Sequence, residues 1–516
     1  MSQGERRPNP WLALAAASLA ILLIAVNTTS INSAINDVAD DLSLSTTTLT
    51  WVVNAYVVAS AAFVALAGRL GDVIGIQRVF YLGYAAFIVG SVGAAVAPGA
   101  EVLIGARFFQ GLAAAILMTA STAAIGAATP TERKGLAMGI WGAVGGAGLA
   151  LGPLWGAVLT DVISWRAIFW ADLLFIAAGA VLAVIGLRNL PRPAAARFDV
   201  GAGIVLALGI FLVVAAAQGA QGWGFGSPLF LTVLGAGVAA LIVFAAIERR
   251  RDPDARLIDM RLFRYPAFTG ACSVTFAGVA GIFGMLFFFN LYAQSDVVLG
   301  YSPIVAAAAL LPFGVALFVM SLVVGPIADR VGYRLPLTAG MALAAIGFFL
   351  LADLSTGEGG IELWVPLGIA GIGVGATWAT AGAVGLAAVP RRFLGEAAGI
   401  FNTVRYVGGA LALAVGSSLY LTTAVRTFNT ELAASDRPVA DVDQLDNALT
   451  GTNDGLEDAL RQLEPTEESV VARAAEIAIS DGFRSTMVLL AVFAVVGTVV
   501  AALTFVSKRD ETDTPA

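Results

Sequence analysis

The 516-residue chain has no histidine and a single cysteine, Cys272. One Cys cannot form an internal disulfide, and with no His the usual metal ligands are nearly gone. The absent His also removes the only side chain that titrates near pH 7 unperturbed, so proton chemistry falls to Asp or Glu. Charge is scarce as well. Only 13% of residues are charged and 58% are apolar, where a soluble domain has about 25% and about 45–50%. Such a chain cannot cover itself with polar surface in water, but it can in lipid. Its net charge of −7 argues against nucleic acid as a partner. No hydrolase or metal motif is visible, so neither an enzyme nor a cofactor is expected. The basic residues are nearly all Arg, and Ala, Gly and Val dominate. That composition suggests a GC-rich bacterial genome and hence the bacterial cytoplasmic (inner) membrane.

A membrane span needs about 20 mostly apolar residues. Fourteen candidates occur near 11–32, 49–67, 79–97, 102–124, 136–159, 166–187, 200–218, 228–247, 267–293, 303–324, 337–354, 363–388, 399–421 and 484–506. The first apolar run is longer than the core of a signal peptide, which favours a retained span. Arg and Lys should accumulate in cytoplasmic loops. With both termini cytoplasmic, the inner segments carry Arg6, Arg7, Arg69, Arg78, Arg133, Lys134 and Arg249 to Arg251. The short outer loops carry almost none, and the first has Asp37, Asp40 and Asp41. A long acidic segment, about 422–483, is expected outside as a solvated hairpin or cap, with a helix-like stretch around Val470–Ile479.

The chain repeats itself. Gly68-Arg-Leu-Gly-Asp72-Val-Ile-Gly75 recurs as Gly325-Pro-Ile-Ala-Asp329-Arg-Val-Gly332, about half a chain length later. Duplicated halves are a common build for secondary transporters. The glycines permit a tight turn and close helix approach, and Asp72 can face a helix N-terminus. In span 4, Arg107-Phe-Phe-Gln110-Gly111 places an Arg inside the membrane, which costs about 2.5 kcal/mol or more unless it has a partner. In span 5, Gly148-Leu-Ala-Leu-Gly152-Pro153-Leu-Trp-Gly156 spaces glycines by four around a proline. The proline can bend the helix, and the glycines open a groove for a neighbour.

Together these segments resemble the signatures of the major facilitator superfamily. Ser164-Trp165-Arg166, Tyr292-Ala-Gln294 and Gly395-Glu396-Ala-Ala-Gly399 are further similar to its fourteen-span drug/proton antiporter branch. The resemblance covers nearly the whole chain. It implies an all-α membrane protein with two six-helix bundles, 1–187 and 266–516, joined by a 188–265 linker with two additional spans. It also implies that the first loop signature locks one transport state and that the span-5 signature, Gly148, Gly152, Pro153 and Gly156, marks antiporters. Val73 and Gln77 depart from the family's basic residues. The larger departure is in span 1, where the branch carries an Asp and this chain has Asn27. An amide cannot bind and release a proton near neutral pH.

Asp172, Asp296 and Glu396 are other candidate proton carriers, and Asp172 is the preferred substitute. Asn27, Asp72, Arg107, Asp172, Asp329 and Arg405 form the expected coupling and gating set. Tyr56, Gln110, Asn290, Tyr292 and Gln294 are the expected substrate contacts, and Trp51, Phe283, Phe287, Phe288, Phe289 and Trp378 are further cavity candidates. The leading expectation is a monomeric transporter that exports small hydrophobic or lipid-like compounds, with protons as the coupling ion and membrane lipids around it. The alternative keeps the fold but exports a lipid, a cell-envelope precursor or a metabolite, with altered or no proton coupling. A membrane enzyme or a non-transporting sensor is a third class.

Overall fold

A computed structural model describes residues 9–44, 46–130, 133–188, 190, 200–223, 227–251, 260–301, 303–354, 360–390, 393–434 and 465–505. Lipid offers backbone groups no hydrogen bonds, so spanning segments must satisfy themselves as helices. Regular structure among the described residues is helical throughout. The helices are α1 (Pro10–Ser30), α2 (Ile35–Leu42), α3 (Thr46–Ile74), α4 (Ile76–Ala95), α5 (Ala100–Ala128), α6 (Lys134–Val162), α7 (Arg166–Gly186), α8 (Val200–Trp223) and α9 (Pro228–Arg249). After them come α10 (Pro266–Gln294), α11 (Pro303–Ala309), α12 (Leu311–Val331), α13 (Arg334–Ala352), α14 (Ile361–Ala387), α15 (Leu394–Ala434) and α16 (Pro465–Thr504). Asn9 caps α1 by accepting from the backbone N–H groups of Trp11 and Leu12, with Pro10 at the first helical position.

Among the described residues, twelve helices are long and apolar enough to cross a membrane. The halves of α6, Lys134–Leu149 and Leu151–Val162, bend by 40° and count as a thirteenth span if taken together. The apolar part of α8, Gly201–Ala217, is shorter. The fourteen-span expectation therefore rests on α8.

Pro153 explains a second feature of α6. It has no N–H to give to the carbonyl of Leu149, and that carbonyl accepts the Thr29 hydroxyl of α1 at 3.2 Å instead. The glycines of the same segment seat α6 on α1. A Cβ at Gly148 would meet Ala25, one at Gly152 would meet Thr29, and one at Gly156 would meet the Ser30 backbone carbonyl.

α1 and α3–α7 pack mainly among themselves, as do α10 and α12–α16. α8 and α9 lie against each other, with α8 also touching α3 and α15. The two large groups meet where α6 contacts α12 and α14, and where α3 and α5 contact α15.

The face bearing the ends of α3 and α12 and the starts of α6 and α15 is closed. Both oxygens of Asp329 accept from the first turn of α6, from Gly135 N at 3.1 Å and Leu136 N at 3.2 Å. Negative charge there suits the positive end of the helix dipole. Gly135 and Gly325 approach so closely that a Cβ on either would strike the other's backbone. Beside them Arg69 of α3 and Glu396 of α15, both buried, form an ion pair at 3.7 Å.

On the opposite face Arg166 clasps Asp41 of α2 and donates to the Ala97 carbonyl at 3.2 Å. Trp165 Nε1 also donates to Asp41, at 3.2 Å. The Arg166 hydrogen bond holds the Asp41 carboxyl below the usual Asp range.

At both ends of the segment expected outside as a hairpin or cap, about 422–483, the described chain is helical, and the helix-like stretch Val470–Ile479 lies within a helix. α15 continues to Ala434, and α16 begins at Pro465. The two run together along a buried seam that includes Phe428, Leu432, Val471, Ala475 and Ile479. The stretch 435–464 lies outside the described residues.

Candidate functional site

A polar network sits inside the first helix group. α5 supplies Arg107 and Gln110, three residues apart and so on one helix face. α1 supplies Asn27, α3 Tyr56, α4 Ser91 and α7 Asp172, and all six side chains are at least 98% buried. Close helix approach makes this possible. A Cβ at Gly90 would lie 2.8 Å from the Gln110 backbone nitrogen, so glycine there brings neighbouring Ser91 up to α5. Gly111 likewise lets α5 rest on the Tyr56 carbonyl.

The connections form a chain from cation to anion. Arg107 Nη1 donates to Asn27 Oδ1 at 2.6 Å and to Gln110 Oε1 at 2.8 Å. Asn27 Nδ2 donates to Asp172 Oδ2 at 2.8 Å. Ser91 Oγ donates to the same oxygen at 2.9 Å, and Gln110 Nε2 lies 3.2 Å from it and 2.9 Å from Ser91 Oγ. Arg107 Nε reaches the Val52 carbonyl at 3.3 Å, and its guanidinium carbon lies 4.5 Å from the Tyr56 ring centroid. The Tyr56 hydroxyl donates to the Ile24 carbonyl at 3.2 Å. Arg107 and Asp172 form no direct ion pair among the described residues. Asn27 lies between them, with its carbonyl toward the Arg and its amide N–H toward the Asp. A neutral amide thus links the buried charges where an acid would have paired with the Arg directly.

A second charge lies where the helix groups meet. Arg405 of α15 is 4% exposed. Its guanidinium carbon is 4.5 Å from the ring centroid of Trp378 (α14), 5.0 Å from Trp141 (α6) and 5.1 Å from Phe401. Arg405 Nη2 donates to the Trp378 carbonyl at 3.4 Å.

The expected residues divide accordingly. Asn27, Tyr56, Gln110, Arg107 and Asp172 come together, and Asp329 sits at the closed face. The helix around Asp72 is described, but the Asp72 side chain is not. Asn290 and Gln294 are half-buried on the last turns of α10, where Gln294 Nε2 donates to Asn290 Oδ1 at 2.9 Å and Asn290 Nδ2 to its own helix's Leu286 carbonyl at 2.7 Å. Tyr292 stacks on Phe483 at 4.5 Å inside the second group. None of these three joins the network. Asp296 is exposed and Glu396 is engaged with Arg69, which leaves Asp172 as the network's carboxylate. Phe288 and Phe289 are core residues, whereas Phe287 faces outward at 37% exposure. Sequence reasoning missed Ser91 and Trp141. Ser91 could have been noticed as a hydroxyl beside a helical glycine at the depth of an intramembrane Arg.

Comparison with known proteins agrees with the helix pattern. A family model described as Major Facilitator Superfamily matches residues 17–413. The puromycin resistance protein pur8 of Streptomyces alboniger is 33% identical over 420 residues, which is 79% of this chain and 81% of that protein. The multidrug resistance protein Stp of Mycobacterium tuberculosis is 31% identical over 415 residues, 79% of this chain and 75% of the relative. Among solved structures, the human organic anion transporter MFSD10 superposes with a TM-score of 0.60 at 13% identity, covering 96% of this chain and all of that one. At that identity the likeness shows the fold alone.

Proposed function

Because the chain belongs to the major facilitator superfamily, whose members are multi-pass membrane transporters rather than enzymes, we propose that it exports small hydrophobic compounds across the bacterial cytoplasmic membrane by alternating access, coupled to proton entry. The relatives named for puromycin and multidrug resistance support this class of cargo. On this reading residues 1–187 and 266–516 are two six-helix bundles and 188–265 is a linker with two further spans, fourteen spans in all. Both termini are cytoplasmic and the protein works as a monomer.

The observation that carries the coupling is Asp172, a buried carboxylate joined through Asn27 to Arg107. Asn27 cannot titrate, so the proton role moves from span 1 to Asp172. Protonating Asp172 weakens its hold on the donors from Asn27, Ser91 and Gln110, and so loosens α1, α4 and α5 against α7. Arg107, freed in part from Asn27, can then follow. The closed face is the cytoplasmic gate, held by Asp329 on the α6 N-terminus and by Arg69–Glu396. Asp72 is assigned the matching role in the first copy of the repeat. Gly148, Gly152, Pro153 and Gly156 keep α1 and the bent α6 together as the bundles rock.

The test is Hoechst or ethidium flux in inverted vesicles with and without an imposed pH gradient. Gradient-driven flux that disappears in correctly folded Arg107→Ala supports the proposal. Gradient-insensitive flux in the parent protein rejects proton coupling. A second reading is export of a lipid, an envelope precursor or an acidic metabolite. It is favoured by Arg405, a buried cation with no carboxylate paired to it among the described residues. Competition of dye flux by lipids or organic acids separates the two.

A further inference from the structure

Arg405 is held differently from Arg107 and Arg69. Arg107 reaches a carboxylate through one amide, and Arg69 pairs with Glu396. The only hydrogen bond of Arg405 among the described residues is the long one to the Trp378 carbonyl. Its Nε and Nη1 are fully enclosed and have no acceptor among the described residues. The surrounding rings favour a cation through their faces. They do not neutralise its charge, and they supply no hydrogen-bond acceptor.

The walls share this character. Among the described residues, the indole nitrogens of Trp141 and Trp378 are also buried without an acceptor. Trp and Arg side chains only donate. The cluster therefore holds N–H groups from three side chains, a full positive charge and aromatic faces, with no acid among the described residues to satisfy them. Leaving buried donors unpaired is costly, which points to a partner that arrives from outside the chain.

Position supports the same conclusion. Arg405 lies eleven residues into α15, about 16 Å along the helix and so near the middle of a core about 30 Å thick. Trp141 belongs to α6 in the first helix group, and Trp378 and Arg405 belong to the second. The cluster spans the seam that opens when the groups separate. Transporter substrates bind near the midplane at that seam.

We propose that Arg405, Trp141 and Trp378 form a binding site for organic anions: compounds with an aromatic or other flat apolar body and a single carboxylate or similar acid group. The acid group accepts from Arg405 and the indole N–H groups, and the apolar body lies against Trp141, Trp378 and Phe401. This rests on the export reading for its role as a substrate site, but binding itself can be tested separately.

The experiment uses the full chain in lipid nanodiscs, titrated calorimetrically with 1-naphthylacetate and with its methyl ester. The acid should bind about 10-fold or more tighter than the ester, the gain expected from charge-assisted hydrogen bonds. Arg405→Gln should bring the acid down to the affinity of the ester. Arg405→Lys should restore part of the preference, because it keeps the charge but not the planar fork. Circular dichroism and size-exclusion behaviour check that the variants are folded. Equal binding of acid and ester to the parent protein overturns the proposal, as does an acid preference that survives in folded Arg405→Gln. Flux of the acid is then measured in sealed proteoliposomes. Arg405-dependent acid binding without flux supports the site and rejects the export reading.

Discussion

Replacing Asp172 by Asn tests the proposed coupling with little change of shape. Asp172 Oδ2 accepts from Asn27, Ser91 and Gln110 at 2.8, 2.9 and 3.2 Å. An Asn oxygen in the same place keeps these bonds but loses their charge assistance, about 1 kcal/mol each and about 3 kcal/mol in total. Against a typical stability of about 5–15 kcal/mol, the variant stays folded with a lower melting temperature. Asp172→Leu removes the acceptor and leaves three buried donors unsatisfied, about 3–9 kcal/mol, so it serves as the destabilised control. The functional effect is larger. A gradient of about two pH units is worth about 2.7 kcal/mol per proton and supports up to ~100-fold substrate accumulation. In reconstituted vesicles Asp172→Asn should lower the accumulation ratio to about 1 while preserving substrate exchange without a gradient. Gradient-driven accumulation at the parental level in Asp172→Asn would refute the assignment and send the proton elsewhere.

Three further outcomes are expected. Gly156→Ala places a methyl against the Ser30 backbone carbonyl, a contact no rotamer can relieve; the overpacking should cost about 1–3 kcal/mol, read as a lower melting temperature in detergent. Asp329→Ala removes the cap from the α6 N-terminus, worth about 0.5–2 kcal/mol; maleimide labelling of Ser321→Cys, in a Cys272→Ser background, should rise about 2- to 30-fold as the closed face opens. The Asp41–Arg166 clasp should depend on pH in a defined direction. Because Arg166 holds Asp41 below its ordinary value of 3.8, the contribution is fully present above that value and is lost as pH falls through the lower folded value; melting curves of parent and Asp41→Asn should differ most above the ordinary value and draw together as pH falls below it.

Much of this was readable from residue chemistry. Apolar runs located the helices, because only a helix satisfies its backbone in lipid. Arg107 marked the network, because an intramembrane charge must find partners. Asn27 was named as the departure from the branch's span-1 Asp and Asp172 as its substitute, although nothing in the sequence says that the amide bridges the two charges. Other features depend on packing across the chain. Ser91 in an apolar helix reads as one more small packing residue until Gly90 brings it to Gln110. Trp141 meets Arg405 only because α6 and α15 belong to groups that fold against each other. Tyr292 was expected as a substrate contact by type and depth, and its stacking on Phe483 could not be read from the sequence. The polar composition near residues 422–434 suggested a solvated hairpin or cap without saying how far a helix would run into it; α15 continues there along α16 on a thin apolar stripe through Phe428 and Leu432.

That continuation has a practical consequence. The 41 residues of α15 measure about 62 Å along the axis, roughly twice the hydrocarbon thickness. Its far end, paired with the start of α16, stands out from the membrane like the pointer of a gauge. A tilt of about 15°, as in known domain rotations, swings the tip of such a pointer, about 30 Å long, through about 8 Å. A pair of spectroscopic labels, one near Thr430 and one on the first helix group, would turn a small rocking of the bundles into a distance change that is easy to follow during transport.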